Sequence, residues 1–286
     1  MNLRQIRKKI RSVSNVKKIT RAMELVSAIK MKKSQQKAIE GKPYRSLLSF
    51  IIGKIVASGL EKSYSPLLSL INQKVEKEVA IVVTSNKGLC GGFNFNLFRF
   101  LVREVDFKKT DFITIGNKGA IFIKKMGGQV IADFSSSYQE DKVSAVFKTV
   151  LDLFLNGNYR NVYLIYNRFL TTIKSEPTKR KILPISVDEN KFQLKENKIP
   201  SGEYIVEPSP EKIFDSVLRS LVEEQIREAL IDSEAAEHSA RMMAMKNATD
   251  NAEDVIYNLT LLRNRVRQEK ITYELLDMVT AKESVE

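Results

Sequence analysis

Residues 245–276 read MKNATDNAEDVIYNLTLLRNRVRQEKITYELL. Within them Met245, Ala248, Ala252, Val255, Leu259, Leu262, Val266, Glu269, Tyr273 and Leu276 follow one another at steps of three and four. That is the spacing of a heptad seam, one helix face meeting a partner helix. The surrounding run, residues 211–286, contains neither Gly nor Pro and is rich in Ala, Leu, Glu, Arg and Met, all good helix formers. Unbroken, it would form a helix on the order of 100 Å long. An ordinary globular helix has about 11–12 residues. So long a rod has to lie against other elements or other chains.

The opposite end reads the same way. Leu3, Ile6, Ile10, Val13, Val16, Ile19, Met23, Val26 and Ile29 recur at threes and fours, which places them on one side of a helix. Three successive steps of three between Ile10 and Ile19 interrupt strict heptad register. Gly41 and Pro43 predict the first break, with helix resuming near Arg45 and running to about Leu60. Two amphipathic helices at opposite ends of one chain bury their stripes most simply against each other, and the roughly 150 residues between them have to fold.

Composition bounds the rest. The chain has 286 residues, 43% of them hydrophobic, enough for one or two domains with a real core. Its net charge of +13 points to acidic partners: nucleic acid, an anionic membrane surface or acidic protein. A single cysteine, Cys90, allows no intramolecular disulfide and suits a reducing compartment. No apolar run approaches the roughly 20 residues of a membrane span. The basic N-terminus lacks a signal-peptide core and runs straight into helical pattern, so the chain reads as mature and cytoplasmic.

The middle alternates strand and helix signals. Residues 79–83, 112–115, 130–132 and 162–166 read as strands, and stretches near 93–105, 118–125 and 141–155 as helices. Such alternation predicts a mostly parallel sheet covered by helices. Residues 171–174 and 181–187 read as further strands, confined to edges or turns by Pro177 and Pro184. Residues 188–208 read as loop or hairpin.

Candidate chemistry is thin. Thr84-Ser-Asn-Lys-Gly-Leu-Cys-Gly-Gly92 stands between a strand and a helix, where a phosphate-cradling loop would sit. It matches neither G-x-G-x-x-G nor G-x-x-x-x-G-K-[ST], and a structural turn is the better reading. The same holds for Ile115-Gly-Asn-Lys-Gly119. A reactive Cys90 would want a base, and the one histidine, His238, lies far away on the C-terminal helix, where it reads as a surface residue. One His and one Cys build no zinc site, and no carboxylate pair stands out. The N-terminus carries the sharper signal. Residues 1–37 hold twelve Lys/Arg against one acid, Glu24. Like charges at i,i+4, such as Lys17 and Arg21, repel unless something acidic lies nearby. A basic coiled-coil nucleic-acid binder is the alternative, but a major-groove basic region needs no continuous apolar stripe.

Three separated motifs resemble one family from end to end. Ile6-Arg-Lys-Lys-Ile-Arg-Ser12 with Lys17-Lys-Ile-Thr-Arg-Ala-Met-Glu-Leu-Val26 and Lys30-Met-Lys-Lys33, then 84–94, then Ser239-Ala-Arg-Met-Met-Ala-Met-Lys-Asn-Ala-Thr-Asp-Asn-Ala252 with Arg267-Gln268 resemble, in order, the gamma subunit of the F-type ATP synthase. The resemblance implies an α/β fold plus a long antiparallel coiled coil: paired N- and C-terminal helices (residues 1–60 and 209–286) carrying a central Rossmann-like α/β foot (75–208). It implies a non-catalytic central-stalk rotor at the cytoplasmic face of the bacterial inner membrane, without cofactor, metal or bound nucleotide. Implied partners are the alpha and beta subunits of the catalytic hexamer, the epsilon subunit and the c-ring of the membrane sector.

By position, Lys17, Lys18, Arg21 and Met23 fall where the family's rotor meets beta subunits, with Arg241 at matching height. Arg267, Gln268 and Thr272 match polar positions used higher up. Tyr204 and Glu207 resemble the segment near the c-ring. Tyr273 stands where the family often has Gln, and the last six residues are more charged than the family's usual tails. The redox-switch cysteine pair of the family's chloroplast forms is excluded by a chain with only Cys90.

Overall fold

The computed structural model describes residues 2–57, 65–69, 75–135, 143–185, 207 and 209–283. Its elements are α1 (Leu3–Ala57), β1 (Glu78–Val83), α2 (Phe93–Glu104), β2 (Thr110–Ile115), α3 (Asn117–Lys125), β3 (Gln129–Asp133), α4 (Val143–Leu155), β4 (Asn161–Phe169), β5 (Ser175–Leu183) and α5 (Pro210–Glu283). They form two compact units, one of residues 1–28 with 241–286, the other of residues 29–240.

In the larger unit the strands lie in the order β3-β2-β1-β4-β5. The first four are parallel, and β5 closes one edge antiparallel to β4. Side chains alternate between two buried faces, so the central strands read as continuous apolar runs. Val79, Ile81, Val83, Ile113, Ile115, Val162 and Leu164 face a core shared with α4, with Leu48, Ile52 and Ile55 of α1, and with Phe214, Leu218, Val222 and Ile226 of α5. Ala80, Val82, Phe112 and Ile165 face the other way, under Leu97 and Leu101 of α2 and Ile123 of α3.

In the smaller unit the two helices run antiparallel. Thr20 Oγ1 lies 2.8 Å from Thr249 Oγ1, and one turn earlier on α1 Lys17 meets Glu253, one turn later on α5. The expected pairing of the terminal helices is therefore present, but its phase differs from the sequence reading. The inward positions of α1 recur every seven residues as Ile6, Val13, Thr20, Ser27, Ser34, Gly41, Leu48 and Ile55. Val16, Ile19, Val26 and Ile29, read as part of the stripe, are exposed, Ile29 by 70%. On α5 beyond Arg241 the buried positions are Met245, Thr249 and Ala252, while Val255, Leu262, Tyr273 and Leu276 are exposed. Hydroxyl residues tolerate the seam because each bonds to its own helix: Thr20 to Lys17 O, Ser27 to Met23 O, Ser34 to Lys30 O and Thr249 to Met245 O. Choosing the seam by apolar content alone hence selects the wrong face.

Two further expectations are corrected. Helix α1 passes through Gly41 and Pro43 without a break. Proline removes one backbone bond at a cost of about 3 kcal/mol, but the following turns are held by the burial of Leu48, Ile52 and Ile55. Residues 171–174 are the turn of the β4–β5 hairpin, closed by Leu170 and Thr171 N–H donating to Lys174 O and by Lys174 N–H donating to Thr171 Oγ1. The strand begins only at Ser175. The read loop at 188–208 lies outside the described residues apart from Glu207.

Gly116, at φ +109°, ends β2 against β1, and a Cβ there would sit 2.1 Å from Thr84 O. Gly116→Ala combines a backbone clash with a left-handed backbone, so an equilibrium urea titration is expected to show a loss of about 3 kcal/mol or more.

Candidate functional site

Three places concentrate polar or exposed groups: the carboxyl edge of the sheet, the ionic contacts between α1, α5 and β5, and the outer faces of the paired helices.

The strand order reverses between β1 and β4, which in doubly wound sheets opens a ligand crevice at the carboxyl ends of the strands. Here the glycine-rich turn spends its polar side chains on itself. Asn94 Nδ2 donates to Ser85 Oγ at 2.7 Å and to Cys90 Sγ at 3.3 Å, and Asn94 Oδ1 accepts from Ser85 N–H. Ser85 Oγ donates to Lys87 O. Thr84 Oγ1 donates to Gly116 O and accepts from Gly119 N–H, tying the two glycine turns together. Asn167 of β4 donates to Phe93 O. Cys90 and Phe93 then pack on Ala236 of α5, with Phe169 and Ala240 beside them. Helix α5 thus occupies the crevice, and the Thr84–Gly92 stretch acts as a structural turn. Cys90 is 3% exposed.

His238 is not a surface residue: it is 8% exposed, with Nε2 3.7 Å from Glu234 Oε1. The adjacent His238, reinforced by Ser34 and Lys37 of α1, holds the Glu234 carboxyl below the usual carboxylate range against the opposing effect of burial.

Below this level the larger unit carries an ionic cluster that sequence reasoning missed. Arg45 of α1 spreads its guanidinium over three partners: Nη2 donates to Ala38 O at 2.9 Å, Nη1 lies 3.4 Å from Glu224 Oε1, and Nε lies 3.4 Å from Glu228 Oε1. Glu228 Oε2 accepts from Arg180 of β5 at 3.0 Å. Glu224 also pairs with Arg227, which reaches Glu223, and Glu223 accepts from Ser144 Oγ of α4. Asp232, one turn beyond Glu228, has its carboxyl pushed up to about 6, first by burial and then by Glu228, with Arg45, Arg168 and Arg180 opposing.

The sequence-derived residues divide between inward and outward positions. Lys17 is half-buried and pairs with Glu253 at 3.0 Å, and Arg21 pairs with Glu24 at 2.9 Å. These two acids offset part of the charge of the dense basic run. Lys18 is exposed, and Met23 is half-buried. Arg241 is buried at 8% exposure. Arg267, Gln268 and Thr272 stand on the exposed end of α5, where Thr272 Oγ1 donates to Gln268 O. From Arg267 to Ala281 every residue is exposed, including Ile271, Leu275, Met278 and Val279. Glu207 is exposed, and Tyr204 lies outside the described residues. The structure brings Lys17 and Arg21 into one turn of α1 and leaves the 267–272 group apart from them on α5. The heptad recurrence of Thr20, Ser27, Ser34 and Gly41 is the signal that could have located both the seam and Arg45 beside it.

The chain matches the family model described as ATP synthase over residues 2–285. It is 38% identical to the ATP synthase gamma chain of Glaesserella parasuis, covering 96% of each chain, and 37% identical to that of Variovorax paradoxus, covering 97% of this chain and 96% of the relative. Its fold is similar to a chain of the Euglena gracilis mitochondrial ATP synthase (TM-score 0.65, 16% identity, 99% of this chain and 94% of the other). It also resembles a chain from the central stalk and c-ring of the Tetrahymena thermophila mitochondrial enzyme (TM-score 0.58, 23% identity, 80% and 99%).

Two outcomes follow from the geometry. Ala236→Leu overfills the contact with Cys90 and Phe93. It should cost about 1–3 kcal/mol and speed modification of Cys90 by a thiol reagent. Asp232 holds its proton more tightly folded than unfolded, so it favours the folded state at low pH. That contribution declines as pH rises from about 4 to about 6 and is gone above. Asp232→Asn should therefore flatten the urea midpoint over that window and raise stability near neutral pH by about 1–2 kcal/mol, once partial solvent access is allowed for.

Proposed function

The chain belongs to the ATP synthase gamma-chain family, and from that premise we propose that it is the non-catalytic central-stalk rotor of a bacterial F-type ATP synthase. Its paired terminal helices stand inside the hexamer of alpha and beta subunits. Its α/β unit rests on the c-ring and binds epsilon, at the cytoplasmic face of the plasma membrane. Division into helical residues 1–60 and 209–286 around a foot of 75–208 follows the same reading. No helix among the described residues is long and apolar enough to cross a membrane.

One observation carries this reading: the end of α5. Fifteen consecutive helical residues there are exposed on all sides, several of them large and apolar. Ile271, Tyr273, Leu275, Leu276, Met278 and Val279 stand there among charged residues, and so much exposed apolar surface on one stretch of helix marks a site that other chains cover. The outer side of α1 repeats the pattern, with Val16, Ile19, Leu25, Val26 and Ile29 exposed among lysines and arginines. Mixed apolar and basic character suits an acidic protein surface with an apolar component better than it suits nucleic-acid phosphates.

The mechanism needs no reactive side chain. A rod with different faces inside a ring of alternating subunits favours a different state in each subunit it touches. Turning the rod moves those preferences round the ring, and each state sets nucleotide affinity. Ion flow through the membrane sector supplies the rotation. Lys18, Arg21 and Met23 then meet the beta subunits from α1, and Arg267, Gln268 and Thr272 meet the surrounding subunits from the exposed end of α5. Glu207, with Tyr204, lies toward the c-ring. Lys17 and Arg241, being partly or fully inward, set the shape of the rod.

The reading is tested by adding the purified chain to bacterial alpha and beta subunits and to membranes depleted of gamma subunit. Co-elution with alpha and beta and recovery of ATP-driven ion pumping are expected, and failure of both rejects the rotor assignment. Charge reversals separate the two sets of residues. Lys18→Glu with Arg21→Glu should lower the ions pumped per ATP hydrolysed and leave nucleotide affinity as it was. Lys17→Glu should also destabilise the isolated chain by up to about 1 kcal/mol, because it faces Glu253. Unchanged coupling in the Lys18/Arg21 double variant removes the proposed contact.

A further inference from the structure

The sequence feature that reads as a helix breaker, Gly41 followed by Pro43, has a purpose in the larger unit that the rotor reading does not supply. Gly41 sits on the inward face of α1, and a Cβ built on it lies 2.7 Å from Arg45 Nη1 and 3.6 Å from Glu224 Oε1. The missing side chain is the space in which the Arg45 guanidinium lies. From there Arg45 reaches three acceptors with three different nitrogens, on its own helix and at two positions of α5. Glu228 carries the connection to Arg180 of β5, and Glu224, through Arg227 and Glu223, carries it to Ser144 of α4.

Position along the helix matters. On the C-terminal side of Arg45, α1 meets the core through Leu48, Ile52 and Ile55. On its N-terminal side the next inward residues are Gly41, Ala38 and Ser34. Arg45 therefore marks the level at which α1 changes from large apolar contacts to small ones. The apolar driving force is itself non-directional. Guanidinium–carboxylate contacts fix angle as well as distance. The cluster is partly exposed, with side-chain accessibilities of 10–41% for Arg45, Glu224, Glu228 and Arg180, so its net contribution to stability is small. Its geometric contribution is large, because one side chain couples two helices and a neighbour of that side chain couples the sheet.

We propose that Gly41, Arg45, Glu224, Glu228 and Arg180 form a positioning joint that fixes the rotational setting of α1 and α5 on the sheet. Arg45 is the keystone, and Gly41 is kept free of a side chain to seat it. The mechanical value of such a joint, passing torque from the sheet to the helices, rests on the rotor reading. The joint itself does not.

The test uses the full chain carrying nitroxide labels at Leu47→Cys on α1 and Lys181→Cys on β5, both exposed, with Cys90 buried and left in place. Pulsed electron resonance gives the distance distribution between them, and thermal melting is recorded alongside. A single narrow distance is expected for the parent chain. Arg45→Lys keeps the charge but offers one nitrogen in place of three, and should lose the narrow distance. Gly41→Ala keeps every charge and adds a better helix former, yet displaces the guanidinium. It should broaden the distribution while its melting temperature stays level or rises. That split between stability and geometry is one a merely stabilising cluster does not produce. Narrow distributions in both variants, or broadening only where melting also falls, overturn the joint. The same Gly41→Ala chain assembled with alpha, beta and the membrane sector should pump fewer ions per ATP hydrolysed. A parent chain that does not assemble rejects the rotor reading and leaves the distance result to decide the joint.

Discussion

Two long helices can run antiparallel at close range only where the residues between them are small or satisfy their own polar groups. Everything else in this structure depends on that constraint. Thr20, Ser27, Ser34 and Thr249 meet it by donating their hydroxyls to backbone carbonyls of the preceding turn. Gly41 meets it by having no side chain at all. An inward face built of such residues contributes little apolar burial, so the larger aliphatic residues of α1 are released to the outside. The exposed row of Val16, Ile19, Val26 and Ile29 is thus the complement of the polar seam, and it is available to other chains for that reason.

The same economy explains the charges. A dense basic run on one helix is self-repelling, and two acids offset part of that repulsion: Glu24 beside Arg21 on the same helix, Glu253 beside Lys17 on the partner. In the larger unit the balance is reversed. There α5 carries the acids, Glu223, Glu224, Glu228 and Asp232, and arginines arrive from α1 and β5. Asp232 lies one turn beyond Glu228, and burial first, then the Glu228 charge, raises its carboxyl against the opposing Arg45, Arg168 and Arg180.

What could be read from the sequence follows from how local each signal is. The strands at 79–83 and 162–166 and the helices beginning at Phe93 and ending at Leu155 declare themselves because β-branched runs and turn glycines act over a few residues. The antiparallel pairing of the ends was also legible, since two helical runs at opposite ends of one chain pair most simply with each other. The phase of the seam was not. Periodicity assigns the apolar face to the inside, and here the interior face is polar by design of close approach. Nor was the continuity of α1 legible. A Gly and a Pro two residues apart predict a break on local propensity, and only the long-range contacts of Arg45 with α5 and of Leu48 and Ile52 with the core override it. His238 failed for a similar reason: Glu234 beside it is engaged by Ser34 and Lys37, some two hundred residues away in the chain.

The doubly wound sheet is a fold whose topology leaves a crevice at the reversal of strand order, and in most proteins that crevice is where a ligand binds. In this chain the crevice is spent on α5. Ala236 is small enough to let the helix backbone come down on Cys90 and Phe93, and Ser239 adds a hydrogen bond to Thr172 O in the hairpin turn. A helix seated at the carboxyl edge of the strands, tied to β5 by Arg180 and to α1 by Arg45, cannot shift without disturbing the sheet's own turns. The geometry that elsewhere holds a nucleotide here holds a lever. The one large difference between the two uses is that a ligand leaves and α5 does not.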